Sequence, residues 1–292
     1  MSLQKKLQGT GVAIVTPFKA NEDIDFNALG KLIDFNINNG VEYIVSLGTT
    51  GETPTLSKEE KFDIINFTFE KVNDRVPVVV GIGGNNTKEV AKDLETYPLE
   101  KAVAVLSASP YYNKPSQEGI FQHYKVLAAA SPKPVILYNV PGRTGRNMEA
   151  ATTLRLAEIA NIGGIKEASN SIPQCIEILR GRPADFLVVS GDDDLVMPEL
   201  ACGIDGVISV AANCFPKEFG DMVRLGLQQD FVAAKKINDT LLEVYHLLFT
   251  ENNPAGVKAF LHELGLIENV LRLPMVPLSK NVHQEIKKYL TK

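Results

Sequence analysis

Short apolar runs rich in β-branched residues punctuate the chain at 12–15, 43–47, 76–82, 102–106, 134–138, 163–166, 186–190 and 206–210. Within each run the apolar positions are consecutive rather than alternating, the pattern of strands buried on both faces in a parallel sheet covered by helices. The segments between them are long enough for crossover helices and carry helix signals. Asp25 precedes an amphipathic stretch that stops near Asn39-Gly40, Ser57-Lys58-Glu59-Glu60 forms a capping box ahead of Phe62, Ile64 and Ile65, and Ser116-Gln117-Glu118-Gly119 opens a further helix. Periodicity alone would suit a doubly wound open sheet almost as well. Eight β-α units in this length favour closure, so the pattern predicts an α/β fold, a (β/α)8 barrel.

After the last run the pattern changes. Residues 216–227, 231–249, 254–264 and 282–290 have helical character with no strand between them, which predicts a helical extension (226–292) on a catalytic barrel (1–225). No linker, fixed-period repeat or low-complexity segment marks a separate module.

Composition narrows the function. The 292 residues are 45% hydrophobic and 22% charged, ordinary for a globular chain with a large core. The net charge is -5 and no Lys/Arg stripe forms, which argues against nucleic acid or anionic membrane as partner and for a small, soluble substrate. No stretch approaches the roughly 20 apolar residues of a membrane span, and the opening Met1-Ser2-Leu3-Gln4-Lys5-Lys6-Leu7 lacks the apolar region of a signal peptide. A cytoplasmic location is expected. Cys175, Cys202 and Cys214 are widely spaced without a CxxC, and His123, His246, His262 and His283 are scattered, so neither a disulfide framework, nor a metal site, nor a His-based triad is expected.

In barrel enzymes the chemistry sits at the C-terminal ends of the strands, and this chain places its unusual residues there. Strand two runs into Gly48-Thr49-Thr50-Gly51-Glu52, strand four into Ser109-Pro110-Tyr111-Tyr112, strand five into Tyr138-Asn139-Val140-Pro141-Gly142-Arg143-Thr144, and strand six carries Lys166. An ammonium among apolar side chains loses hydration, which favours the free amine able to attack a carbonyl and form a Schiff base. The alternative is a strand-end lysine paired to a carboxylate such as Glu167. For Tyr111-Tyr112 the alternative is a pair of half-buried aromatics, for the Gly-Thr run an ordinary turn, and for Arg143 a surface loop residue.

The Gly48-Thr49-Thr50-Gly51-Glu52, Tyr138-Asn139-x-Pro141 and Gly164-Ile165-Lys166 runs, in order and at these separations, resemble the pyruvate-dependent, class I aldolase-type family that includes N-acetylneuraminate lyase and dihydrodipicolinate synthase. The likeness spans nearly the whole chain, including Asn253-Pro254-x-x-x-Lys258 and Leu273-Pro274. It implies a homotetramer, a dimer of dimers, in which Lys166 forms a covalent imine with pyruvate and no cofactor takes part. Tyr138 matches the family's proton-transfer tyrosine, and Thr49 and Tyr112 match the hydroxyls that relay protons to solvent, the latter entering from the adjacent subunit. Thr50 matches the residue that binds the pyruvate carboxylate, while Gly191 and Ile208 match backbone positions lining the pocket. Arg143, in Gly142-Arg143-Thr144, matches members that act on L-aspartate-4-semialdehyde, and sialic-acid lyases lack it. The expected reaction is therefore condensation of pyruvate with L-aspartate-4-semialdehyde to 4-hydroxy-tetrahydrodipicolinate, the first step committed to lysine and diaminopimelate. The competing expectations are an N-acetylneuraminate or keto-deoxy sugar-acid lyase of the same family and a non-catalytic binding barrel. Some members are inhibited by lysine at a site between subunits, which resembles the region of Thr53, Lys58, Lys61, Asn85, Glu89 and Tyr111. Two fixed ammonium groups, Lys58 and Lys61, oppose a cationic ligand there, so weak or absent inhibition is expected.

Overall fold

The computed structural model describes residues 2–292. Eight parallel strands, β1 (Gly9–Ala13), β2 (Tyr43–Ser46), β3 (Val78–Gly81), β4 (Ala104–Ala108), β5 (Val135–Asn139), β6 (Ile162–Glu167), β7 (Leu187–Ser190) and β8 (Gly206–Ser209), close into a barrel in sequence order, with β1 pairing β8. Strand alternation sorts the apolar runs into two layers. Tyr43, Val45, Val79, Leu106, Ile136, Leu187, Val189 and Ile208 fill the inside, and a larger cluster, including Val12, Ile44, Val78 and Val188, packs under the surrounding helices.

Seven of the eight strands fall within two residues of their expected starts. The first begins at Gly9 rather than residue 12. The shift has a steric cause: a Cβ on Gly11 would run into the ring of Tyr43, and one on Gly206 into the backbone of Gly9. The seam between β1 and β8 closes over a buried tyrosine only if glycines stand there, and glycine carries no strand signal.

The expected caps are present. Ser57 and Glu60 form the capping box of helix Lys58–Val72, Asp25 caps Phe26–Asn38 and Ser116 caps Gln117–Ala130. Helices Pro216–Leu227, Phe231–Phe249, Ala255–Glu263 and Lys280–Leu290 follow the barrel. The last starts two residues before the expected position, where polar Lys280 and Asn281 hide the periodicity. Leu241, Val244, Leu248, Val257 and Phe260 belong to the same buried cluster as the barrel helices. No described helix is long and apolar enough to cross a membrane. All three cysteines are free, Cys175 and Cys214 among the buried core residues.

Candidate active site

Lys166 and Tyr138 are neighbours in the ladder between β5 and β6. Both are buried on the inner face, and Lys166 Nζ lies 4.5 Å from the centre of the Tyr138 ring. Alternation turns Glu167 to the opposite face. There it accepts from Asn139 Nδ2 at 3.0 and 3.2 Å, from Gln174 Nε2 at 3.2 Å and from the Ser169 N–H at 2.9 Å. Glu167 is therefore fully engaged away from Lys166 and is not its counter-ion. Gly191 follows β7, its N–H donating to the Glu167 carbonyl at 2.7 Å. A Cβ on Gly191 would stand 2.7 Å from Lys166 Cε and 2.6 Å from the Ala168 methyl, so the missing side chain is the space the lysine occupies.

The amine end opens into a cavity of about 80 Å³ walled by Thr49, Thr50, Tyr138, Arg143, Gly191 and Asp192 among others. Thr49 and Thr50 stand in a single 3-10 turn, Thr49–Gly51, directly after β2. Side chains lock that turn from outside: Thr53 Oγ1 donates to the carbonyls of Leu47 and Gly48 at 2.8 and 2.9 Å, and Thr16 Oγ1 to that of Gly51 at 2.8 Å. Glu52, in the left-handed region at φ 53°, ends the turn and buries its carboxylate against the fully buried ammonium of Lys258. The backbone N–H of Arg272 donates to the other Glu52 oxygen at 3.1 Å. Asn253 closes the arrangement, its Nδ2 donating to Thr50 Oγ1 at 3.0 Å.

Arg143 lies in the helical turn Pro141–Thr144 after β5. It donates to Asn252 Oδ1 at 3.1 Å and to the Asn253 carbonyl at 3.3 Å, and it borders both the small cavity and an adjoining one of about 500 Å³. Asp192 is the acidic residue on the wall, while Asp193 and Glu199, the latter on helix Val196–Cys202, are buried and do not line the cavity. Burial pushes the Asp192 and Asp193 carboxyls up to about 6 against the pull of the Lys166 charge and their hydrogen bonds, and pushes Glu199 up to about 7. Asp193 is tied down by the N–H groups of Val210 and Ala211 at 3.0 and 2.7 Å.

The fold thus brings Lys166, Tyr138, Thr49, Thr50, Arg143 and Gly191 to one cavity. Tyr112 is not on its wall: the residue is 88% exposed with φ at 68°, projecting from its own chain. Ile208 is fully buried in the inner layer, and Val210, two residues on, supplies the wall beside it. In the second region, Thr53, Lys61 and Tyr111 line the larger cavity, and Asn85 Nδ2 donates to the Tyr111 carbonyl at 3.4 Å. Lys58 is instead drawn to Asp93 at 3.3 Å and Thr96 at 3.4 Å, and exposed Glu89 stands in the first turn of helix Thr87–Thr96. Asn253 carries no chemical signal in the sequence beyond its place in the Asn253-Pro254-x-x-x-Lys258 run, and Asp192 none beyond its place after a strand.

A buried lysine amine over a tyrosine ring, at the C-terminal mouth of a (β/α)8 barrel, is the equipment of a lyase that works on carbonyl carbon. The model of the Dihydrodipicolinate synthetase family matches residues 6–292. The 4-hydroxy-tetrahydrodipicolinate synthase of Parabacteroides distasonis is 51% identical over 285 residues, covering 97% of this chain and 96% of that protein. The enzyme of the same name from Phocaeicola vulgatus is 52% identical over 276 residues, covering 94% and 93%. Among solved structures, the chloride-inhibited dihydrodipicolinate synthase from Acinetobacter baumannii complexed with pyruvate superposes with a TM-score of 0.95 at 40% identity, covering 98% of each chain. The chain belongs to the dihydrodipicolinate synthetase family.

Proposed function

We propose that this chain condenses pyruvate with L-aspartate-4-semialdehyde to 4-hydroxy-tetrahydrodipicolinate through an imine on Lys166. The observation that carries the reading is the placement of the Lys166 amine, unpaired with Glu167, at the floor of a small cavity beside Tyr138 and the Thr49-Thr50 turn. The amine attacks the ketone carbon of pyruvate, the carbinolamine loses water, and the resulting iminium accepts the electron pair when a methyl proton leaves. The enamine carbon then bonds to the aldehyde carbon of the second substrate, whose oxygen takes up a proton, and the amine of that substrate attacks the imine carbon and displaces the Lys166 amine, which closes the ring and frees the enzyme. Tyr138 is the group within reach of these transfers, with Thr49 next in the relay and Tyr112 of an adjacent subunit completing it. The first N–H groups of a helical turn lack acceptors within the turn, which suits the Thr49-Thr50 segment to the pyruvate carboxylate. Gly191 leaves room for the lysine stem, and Ile208 and Val210 pack beneath the strand-eight side.

Arg143 selects the second substrate. Its guanidinium stands at the boundary of the two cavities, where a second carboxylate can be held fork to fork. Assembly as a homotetramer, a dimer of dimers, accounts for a tyrosine as exposed as Tyr112. Assaying the chain side by side with L-aspartate-4-semialdehyde and N-acetylneuraminate tests the reading: consumption of the semialdehyde with pyruvate, and no cleavage of the sugar acid, is expected. Arg143→Ala should impair use of the semialdehyde by about 2 kcal/mol or more in transition-state free energy while leaving pyruvate capture largely intact. Unchanged kinetics toward the semialdehyde would remove the argument for synthase over lyase.

A further inference from the structure

Asn253 lies far from the barrel strands in sequence yet is buried, at 3% exposure, on the wall of the catalytic cavity. Its side chain makes one hydrogen bond within the protein, the Nδ2 donation to Thr50 Oγ1 at 3.0 Å; its Oδ1, also buried, has no partner among the described residues. An amide chosen for stability would satisfy both ends, because a buried unpaired acceptor is destabilising. What the amide does accomplish is to fill one lone pair of the Thr50 hydroxyl. A hydroxyl has a single hydrogen and two acceptor sites. With an N–H already directed at its oxygen, the Thr50 hydrogen is left to point elsewhere, and Thr50 borders the cavity.

The same residue reaches the second subsite through its backbone. Its carbonyl accepts from Arg143 at 3.3 Å, and its N–H donates at 2.9 Å to Asn252 Oδ1, which also accepts from Arg143 at 3.1 Å. Asn252 sits in the left-handed region at φ 75°. The Asn252-Asn253 corner is thus fixed by the arginine on one side and fixes the threonine on the other.

We infer that Asn253 is a positioning residue that polarises the Thr50 hydroxyl as a donor to the carboxylate of the keto acid and joins the two substrate subsites through one corner of the chain. The inference rests on the proposed function, since it takes the carboxylate of pyruvate as the acceptor. Its test is the pyruvate concentration dependence of borohydride trapping, read by mass, in four chains: unsubstituted, Asn253→Ala, Thr50→Val and the double variant. Asn253→Ala should raise the half-saturating pyruvate concentration about tenfold, as expected for losing support of a hydrogen bond to a charged group, with the final extent of trapping unchanged. In the Thr50→Val background the same substitution should change it by less than about twofold, because the hydroxyl through which it acts is gone. A thermal melt verifies that each variant folds, and Asn253→Ser carries the same cycle if alanine does not. Equal fold-changes in both backgrounds, or no change on Asn253→Ala, would overturn the inference while leaving Lys166 capture intact. Absence of trapping in the unsubstituted chain would instead defeat the proposed function and this inference with it.

Discussion

Lys166 is legible as chemistry from sequence because an ammonium rarely stands in a buried strand without a task. Its surroundings are not legible. Whether Glu167 pairs with it depends on strand alternation and on which neighbours reach the outer face, and here Asn139, Gln174 and Ser169 take the carboxylate. Gly191 could be placed by resemblance, but its physical reason, clearance for the lysine stem, emerges only from the packing. Glu199 is a residue whose behaviour no pattern announces. Burial raises its pKa from 4.5 to about 7, and its Oε2 has no hydrogen-bond partner among the described residues. The folded state then holds a proton that the unfolded state releases, so this carboxyl lowers stability progressively as pH rises from its unfolded to its folded pKa. Glu199→Gln mimics the protonated form. The melting temperature of the variant relative to the unsubstituted chain should therefore improve more at about pH 8 than at about pH 5; a difference independent of pH, in melts recorded at both values, would contradict the assignment.

At the level of elements, the strands and most helices follow from periodicity and caps, while the glycine-built seam at β1 and β8 does not, because Gly9-Thr10-Gly11 carries no strand signal until Tyr43 is known to lie under it. The tail helices are likewise visible as helices, yet the sequence does not say which part of the barrel they hold. Helix Ala255–Glu263 sends Lys258 to Glu52 at the end of the strand-two turn, and Lys258 also donates to the Val270 carbonyl at 2.9 Å and lies 4.1 Å from the centre of the Phe18 ring. Burial lowers the Lys258 pKa to about 8, with Glu52 pulling the other way. Removing one partner of a buried pair strands the other charge, which costs about 3 to 5 kcal/mol. Lys258→Met should accordingly lower the melting temperature by roughly 10 °C in a chain of this size, and adding Glu52→Gln should recover part of the loss. A single variant as stable as the parent would show that the pair does not anchor the turn.

At the scale of the whole molecule, the barrel and the four strand ends that meet at its mouth were readable, but the completeness of the site was not: Tyr112 leaves its own chain's cavity, and Asn253 enters it from the tail. The larger cavity, lined by Thr53, Lys61 and Tyr111, includes part of the region where the sequence resemblance implies a lysine site. With Lys58 drawn to Asp93, the cations on that wall are Lys61 and Arg143, and both oppose a ligand carrying a second ammonium. Titration with lysine at saturating pyruvate should give weak inhibition or none; half-inhibition in the submillimolar range would contradict that expectation. Every step of the proposed reaction depends on Lys166 being the amine that captures pyruvate. Incubation with pyruvate and borohydride, followed by intact mass and peptide mapping, tests it directly. One reduced pyruvate adduct located on Lys166, and none on Lys166→Ala, is expected, whereas an adduct on the alanine variant, or on another lysine of the unsubstituted chain, would contradict that role.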